Sequence, residues 1–309
     1  MISFYKTEDS KMVLIQERCD GCWINVVDPT EQEIDDLAKM LNLQDDDFLR
    51  AALDEEESSR IDSEDGITLV IIDIPRVERE EDAVIYSTMP FGFVFTPSNV
   101  VTICLKENTI IREFANSSAK QFKTEHKTQF ALQLMYTVAN RYLQYLKQID
   151  KISSHVERKL RADMMNAELI QLLDLEKSLT YFSTSLKSNL ATMNKLMRGR
   201  FIKMYEEDQE LMDDLLIEVR QAIEMSELYS SILSGTMEAF ASIISNNLNV
   251  VMKRLTSISI ILTIPTMIAS FYGMNVAGLP IPSFWFPVII SAVLAIATAI
   301  FLKTKGLLK

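Results

Sequence analysis

The hydrophobic rhythm of the chain changes twice. Up to about residue 110, apolar positions come in short runs: ITLVIIDIP (67–75), AVIYSTMPFGFVFT (83–96) and NVVTICL (99–105). These runs are rich in β-branched and aromatic residues and bounded by Pro, Gly and Asn, which predicts strands. DPTEQEIDDLAKML (28–41) opens on Asp-Pro-Thr and then takes helical spacing, which predicts a capped helix. The heavily acidic QDDDFLRAALDEEESSRIDSEDG (44–66) reads as a solvated helix face and loop, with a cation-sensing surface as the alternative. From residue 110 the rhythm lengthens. No proline occurs between Pro97 and Pro265, only Gly199 and Gly235 interrupt, and apolar residues recur at three- and four-residue steps, as at Leu215, Val219, Ala222 and Ile223. This region predicts long helices. The last begins near Tyr205 and runs into the first of two apolar segments, a rod on the order of 100 Å. Such a rod needs partner helices, from its own chain or from copies of it.

The two apolar segments are LTSISIILTIPTMIASFY (255–272) and FWFPVIISAVLAIATAIFL (284–302), joined by GMNVAGLPIPS (273–283). Each is long enough to span a bilayer, and the joining loop is too short for a domain, so the pair predicts a transmembrane hairpin. Lys253 and Arg254 precede it, Lys303, Lys305 and Lys309 follow it, and the loop carries no charge. The positive-inside rule then puts both termini in the cytoplasm. The expected fold is an α+β cytosolic part followed by an all-α two-helix membrane hairpin. Its sections are an N-terminal α/β domain over 1–110, a helical region over 111–204, a stalk continuing into the first span over 205–272, an external loop over 273–283, a second span over 284–302 and a basic tail over 303–309.

The first span is more than an anchor. Asn249, Met252, Thr256, Ser259, Thr263, Thr266 and Ser270 follow one another at steps of 3, 4, 3, 4, 3 and 4. They form one heptad seam that meets Ser245 and Ser242 backward and Gly273 forward, with Met252 its one apolar member between Asn249 and Ser270. Ser and Thr line helix contacts in membranes, but a plain dimer seam favours Gly, Ala and large apolar knobs. A water-filled pore of identical helices, in a closed ring of subunits, is the favoured reading. At the outer end, Gly273 would let the helix end and the backbone approach the axis, helix carbonyls would point outward, and Asn275 would add an amide oxygen per subunit. A neutral ring of oxygen dipoles suits Mg²⁺, which sheds its water reluctantly. Met274 would pack outward and fix the turn.

Charge sharpens this picture. The chain carries net charge −12, but residues 1–254 hold 28 of the 31 basic and all 43 acidic residues, a local −15. That part repels nucleic acid and favours cations, so no nucleic-acid partner is expected. No P-loop, GxSxG or HExxH occurs, which argues against an enzyme, against ATP-driven pumping and against an organic cofactor. Cys19-Asp-Gly-Cys22 has CxxC spacing but no second pair, Cys104 being the only other cysteine, and reads as a turn with two reduced thiols.

With Tyr272-Gly273-Met274-Asn275 after the penultimate membrane helix, a short loop and a last helix ending in lysines, the chain resembles the CorA magnesium transporters over essentially its whole length. The resemblance implies a funnel-like homopentamer in the cytoplasmic membrane that passes Mg²⁺, often also Co²⁺ and Ni²⁺. It implies Gly273, Met274 and Asn275 as selectivity filter, with Gly273 and Asn275 as metal-facing groups. It implies Asn249, Met252, Leu255, Thr263 and Thr266 along the pore, with Met252 and Leu255 as hydrophobic constriction. Leu255 lies one step off the seam, beside Thr256, so the two would alternate in facing the axis. The resemblance further implies closure by cytosolic Mg²⁺ bridging neighbouring subunits, with Asp214 as one ligand and Asp45, Asp62, Glu64 or Asp65 as its partner. The outer loop departs from the family's frequent pattern by lacking acidic residues. A zinc-type transporter of the same superfamily is one alternative, disfavoured because Met274 is retained; a membrane-anchored coiled-coil scaffold is the other.

Overall fold

The computed structural model describes every residue except 10, 44–45, 65, 81–82, 117–122, 163–165, 200, 276–280, 282 and 308–309. The elements are β1 (Ile2–Glu8), β2 (Lys11–Ile15), β3 (Trp23–Val27), α1 (Glu31–Leu41), α2 (Asp47–Arg50), β4 (Arg60–Glu64), β5 (Ile67–Glu80), β6 (Ala83–Phe95), β7 (Val100–Cys104), α3 (Thr109–Asn116), α4 (Lys127–Ala162), α5 (Asn166–Arg198), α6 (Glu206–Tyr272) and α7 (Trp285–Thr304). They divide into two compact units, Met1–Gly235 and Thr236–Lys309, and α6 contributes to both.

The first unit is built on a seven-stranded sheet ordered β2-β1-β3-β7-β6-β5-β4. Strands β3 and β7 run parallel; the other neighbours are antiparallel. Alternate residues of the strands face opposite sides. Ile24, Val26, Leu69, Ile71, Val101 and Ile103 join a core with Ile34, Leu37, Ala38 and Leu41 of α1. Helix α1 starts where the sequence places it. Thr30 caps it, accepting from the Glu33 N–H at 3.3 Å, while the Glu33 carboxylate accepts from the Thr30 N–H at 2.9 Å, a reciprocal capping box. An aromatic cluster forms a second core, where Trp23 meets Tyr5, Phe130 and Phe114 at 4.9, 5.2 and 6.1 Å. Tyr142 and Tyr86 both pack edge-on against Phe182 of α5, at 5.0 and 6.1 Å.

One polar contact ties α5 to the sheet. β4 ends its pairing with Arg60 opposite Ile71, and Pro90 stands opposite Asp73 in β6. The Asn189 side chain serves Asp73 as a strand neighbour would: its Nδ2 donates to the Asp73 carbonyl at 2.8 Å and its Oδ1 accepts the Asp73 N–H at 2.8 Å. Tyr142 Oη donates to the same carbonyl at 3.0 Å, and Ser59 Oγ to Asn189 Oδ1 at 2.9 Å. The Asp73 side chain is held above the ordinary carboxylate range, chiefly by burial, with a hydrogen bond to Ser185 opposing it.

The acidic stretch 44–66 departs from the helix-and-loop reading. After the one-turn α2 and a 3-10 turn at Ala51–Leu53, Arg60–Glu64 is an edge strand. Only Ile61 of its five residues is buried, so its exposed charges hide the alternation while protecting the edge from foreign strands. The CxxC segment is a turn. Gly21 takes φ +72° and the Cys22 N–H bonds the Cys19 carbonyl at 3.3 Å. Asn99 Nδ2 donates to the Cys19 and Cys22 carbonyls and to Cys22 Sγ, and burial raises the Cys22 thiol.

The second unit contains the two helices of the chain that are long and apolar enough to cross a membrane, among the described residues. α6 is helical through both Gly235 and Pro265, although Pro265 offers no N–H to the carbonyl four residues back.

Candidate functional site

Along the apolar part of α6, the partly or fully buried residues are Ser257, Ile261, Ile264, Ile268 and Tyr272, which recur at helical spacing on one face. Tyr272 of this face meets Phe286 of α7, with ring centroids 6.2 Å apart. The polar seam lies on the other side. Thr256, Ser259, Thr263, Thr266 and Ser270 are all exposed. At about 100° per residue, the two sets are centred roughly 160° apart around the helix. The chain therefore turns its hydroxyls away from its own second apolar helix. Asn249 is exposed as well, and Met252 and Leu255 are each 57% exposed.

Three seam hydroxyls fold back onto the helix. Ser259 donates to the Leu255 carbonyl at 2.9 Å, Thr263 to Ser259 at 2.8 Å and Thr266 to Leu262 at 3.1 Å. This is the usual way a hydroxyl is satisfied in an apolar helix. It spends the proton internally and leaves oxygen lone pairs to face outward. The stripe thus offers acceptors, and acceptors are what a cation or its water shell binds.

Helix α6 ends at Tyr272. The Gly273 N–H still bonds the Ala269 carbonyl at 2.9 Å, and the Met274 N–H reaches the Phe271 carbonyl at 3.3 Å. The sequence suggests a glycine that ends the helix, but Gly273 is not among the residues with positive φ, so left-handed freedom is not what it provides. A methyl group there would meet only main-chain oxygens of its own helix, Ala269 O at 3.2 Å and Ser270 O at 3.7 Å. Among the described residues nothing else comes within 4 Å of that methyl position. Met274 is 53% exposed, and Asn275 is exposed beside it. The last turn of α6 has no basic residue to offset its outward carbonyls. Aromatic residues Phe271, Tyr272, Phe284, Trp285 and Phe286 border this turn, whereas Lys253, Arg254, Lys303 and Lys305 mark the opposite ends of the two apolar stretches. Aromatic residues of this kind belong at a membrane–water interface.

The suggested regulatory carboxylates are not gathered. Asp214 is exposed on α6 of the first unit, and Asp62 and Glu64 are exposed on β4. Asp62 lies 3.5 Å from Arg60. Asp45 and Asp65 fall outside the described residues. Among the described residues, no three His, Cys, Asp or Glu side chains form a metal-binding group. One residue escaped the sequence reading. Ser257, off the seam, is the only buried polar residue of the second unit among those described, at 2% exposure. A lone serine among isoleucines gives no periodic signal.

Comparison with known proteins gives the context. Residues 20–304 match the family described as "CorA-like Mg2+ transporter protein". The "Cobalt/magnesium transport protein CorA" of Methanocaldococcus jannaschii is 26% identical over 292 residues, covering 92% of this chain and 90% of that one. "The complete structure of CorA magnesium transporter from Methanocaldococcus jannaschii" superposes with a TM-score of 0.80 at 23% identity, covering 98% of this chain and 96% of that chain. The "structure of the full-length CmaX protein" does so at a TM-score of 0.73 and 17% identity, covering 99% and 97%. An α/β part with long helices followed by two C-terminal apolar helices is thus a shared fold. With the match spanning most of its length, the chain belongs to the CorA-like Mg²⁺ transporter protein family.

Proposed function

We propose that this chain is the subunit of a homopentameric divalent-cation channel that admits Mg²⁺, and with it Co²⁺ and Ni²⁺, across the cytoplasmic membrane. The observation that carries this reading is the acceptor-lined seam of α6, turned away from α7 and running to Gly273-Met274-Asn275. The oxygen lone pairs that these back-bonds leave facing outward find no donor in lipid and find one in water. One helix cannot enclose water, so copies must supply the remaining wall. Met252 and Leu255 then form an apolar constriction that can dewet. Gly273 and Asn275 form the filter, where main-chain and amide oxygens hold a hydrated ion. Entry needs no ATP: a divalent ion gains about 4.6 kcal/mol per 100 mV of membrane potential. With both termini cytoplasmic, the acidic first units face the cytosol. There Mg²⁺ bridging Asp214 to Asp45, Asp62, Glu64 or Asp65 of a neighbour would favour closure.

The test is Mg²⁺ flux into proteoliposomes, wild type beside Asn275→Ala. The expected result is a potential-driven flux whose selectivity for Mg²⁺ the substitution abolishes. Unchanged selectivity would remove Asn275 from the filter, and flux of Zn²⁺ without Mg²⁺ would move the chain to the zinc-type reading. In the same vesicles, Asp214→Lys should weaken inhibition by Mg²⁺ on the cytosolic side; unaltered inhibition would dismiss it as a sensor.

A further inference from the structure

The tail that follows α7 is a built turn. Gly306 takes φ +71°, the Gly306 N–H bonds the Lys303 carbonyl at 3.1 Å, and the Leu307 N–H bonds the Leu302 carbonyl at 3.0 Å. This pair of bonds, closing over a left-handed glycine, is a Schellman motif, in which apolar residues at either end of the turn come together. Leu302 is accordingly buried, at 6% exposure. The turn aims the Leu307 carbonyl at α6, where Ser257 Oγ lies 3.2 Å away, and the one hydroxyl proton is shared between that carbonyl and the serine's own Lys253 carbonyl at 2.8 Å. A buried serine inside an apolar helix costs free energy unless its hydroxyl is used, and here it serves its own helix and the tail at once.

We infer that Ser257 and the Gly306–Leu307 turn form a latch that fixes the rotation of α6 at the constriction. The inference rests on the channel reading above. Ser257 adjoins Thr256 and lies two positions from Leu255. Leu255 and Thr256 differ by about 100° around the helix, so a modest rotation exchanges an apolar wall for a hydroxyl wall at that level. Holding Ser257 against the tail selects one of the two. Ser257 is a positioning residue: it faces α7 and its tail, not the seam.

The experiment uses the full-length protein in lipid vesicles and reads two quantities: amide hydrogen exchange over residues 303–307, and Mg²⁺ flux against the internal Mg²⁺ concentration. Ser257→Ala should speed exchange of the Gly306 and Leu307 amides by about twofold, as for the longer branch of a shared hydrogen bond. It should also shift the half-inhibiting internal Mg²⁺ by about twofold. Gly306→Ala, strained at its positive φ, should do the same without touching α6. Ser257→Thr, which keeps the hydroxyl, should restore both readouts. Exchange at wild-type rates in Ser257→Ala would overturn the latch itself. Faster exchange with an unshifted flux curve would overturn its positioning role. Exchange and wild-type flux are read separately. Absence of any wild-type Mg²⁺ flux would overturn the channel reading and the positioning role with it, while the exchange data still decide whether the tail is latched.

Discussion

In Met1–Gly235, Phe91 and Phe93 are wholly buried, while in Thr236–Lys309, Trp285 and Leu262 are 66% and 65% exposed. The polar residues are treated in opposite ways too. The first unit buries Asn99, Thr102 and Asn189, each hydrogen-bonded to a neighbouring element. The second exposes its hydroxyls along one face and turns them on their own helix. The difference follows from the solvent each unit meets. Water drives apolar side chains inward in the first, and the core is complete within one chain. A bilayer offers no such drive to the second, whose backbone and hydroxyls must be satisfied within the helices, and whose polar face, in the proposed channel, would meet copies of itself.

This contrast can be broken by experiment. The largest effect belongs to the complete core. Phe91→Ala should cost about 3–5 kcal/mol, read by chemical or thermal unfolding in detergent. Val293→Ala, at a position 59% exposed on α7, should move the same readout by less than about 0.5 kcal/mol. Equal losses would mean that the two units do not differ in where their stability lies.

Next comes Asn189→Ala, which removes the partner of the Asp73 N–H and one of the two donors to its carbonyl, Tyr142 remaining, and should cost about 1–3 kcal/mol. A loss near zero would show that water replaces the amide and that α5 is held by its apolar contacts alone. The smallest effect is one of pH. Burial raises the Asp73 carboxyl in the folded state. The folded form thus binds its proton more tightly than the unfolded one. The resulting stability is fully present below the ordinary carboxylate pKa and is lost as pH rises through the raised value. Asp73→Asn should remove that slope and leave the first unit more stable at neutral pH. An unchanged pH profile would mean that Asp73 reaches water.

Much of the fold was legible. The runs at 67–75, 83–96 and 99–105 fall in strands β5 to β7, because buried strands favour β-branched and aromatic residues; β3, the five-residue WINVV, is as buried and of the same composition but went unread beside the CxxC turn. The hairpin β1–β2 and strand β4 were not legible, because edge strands mix charges into the alternation. Of the candidate site, the seam on α6 and the Gly-Met-Asn turn could be read from spacing alone. The conformation of Gly273 could not: the sequence suggests a helix-ending glycine, yet its φ is not positive.

The sequence by itself determined which residues share a face, since helical periodicity is a local property of the backbone. It set the acidic and the apolar parts, two helices apolar enough to cross a membrane, the capped start of α1 and the hydroxyl seam. Only the tertiary structure decided what each face meets: that the seam turns from α7, that Asn189 stands in for a strand, and that Ser257 binds the turn at Leu307. Contacts between residues far apart in the chain depend on how separate elements pack, and no local pattern encodes that distance.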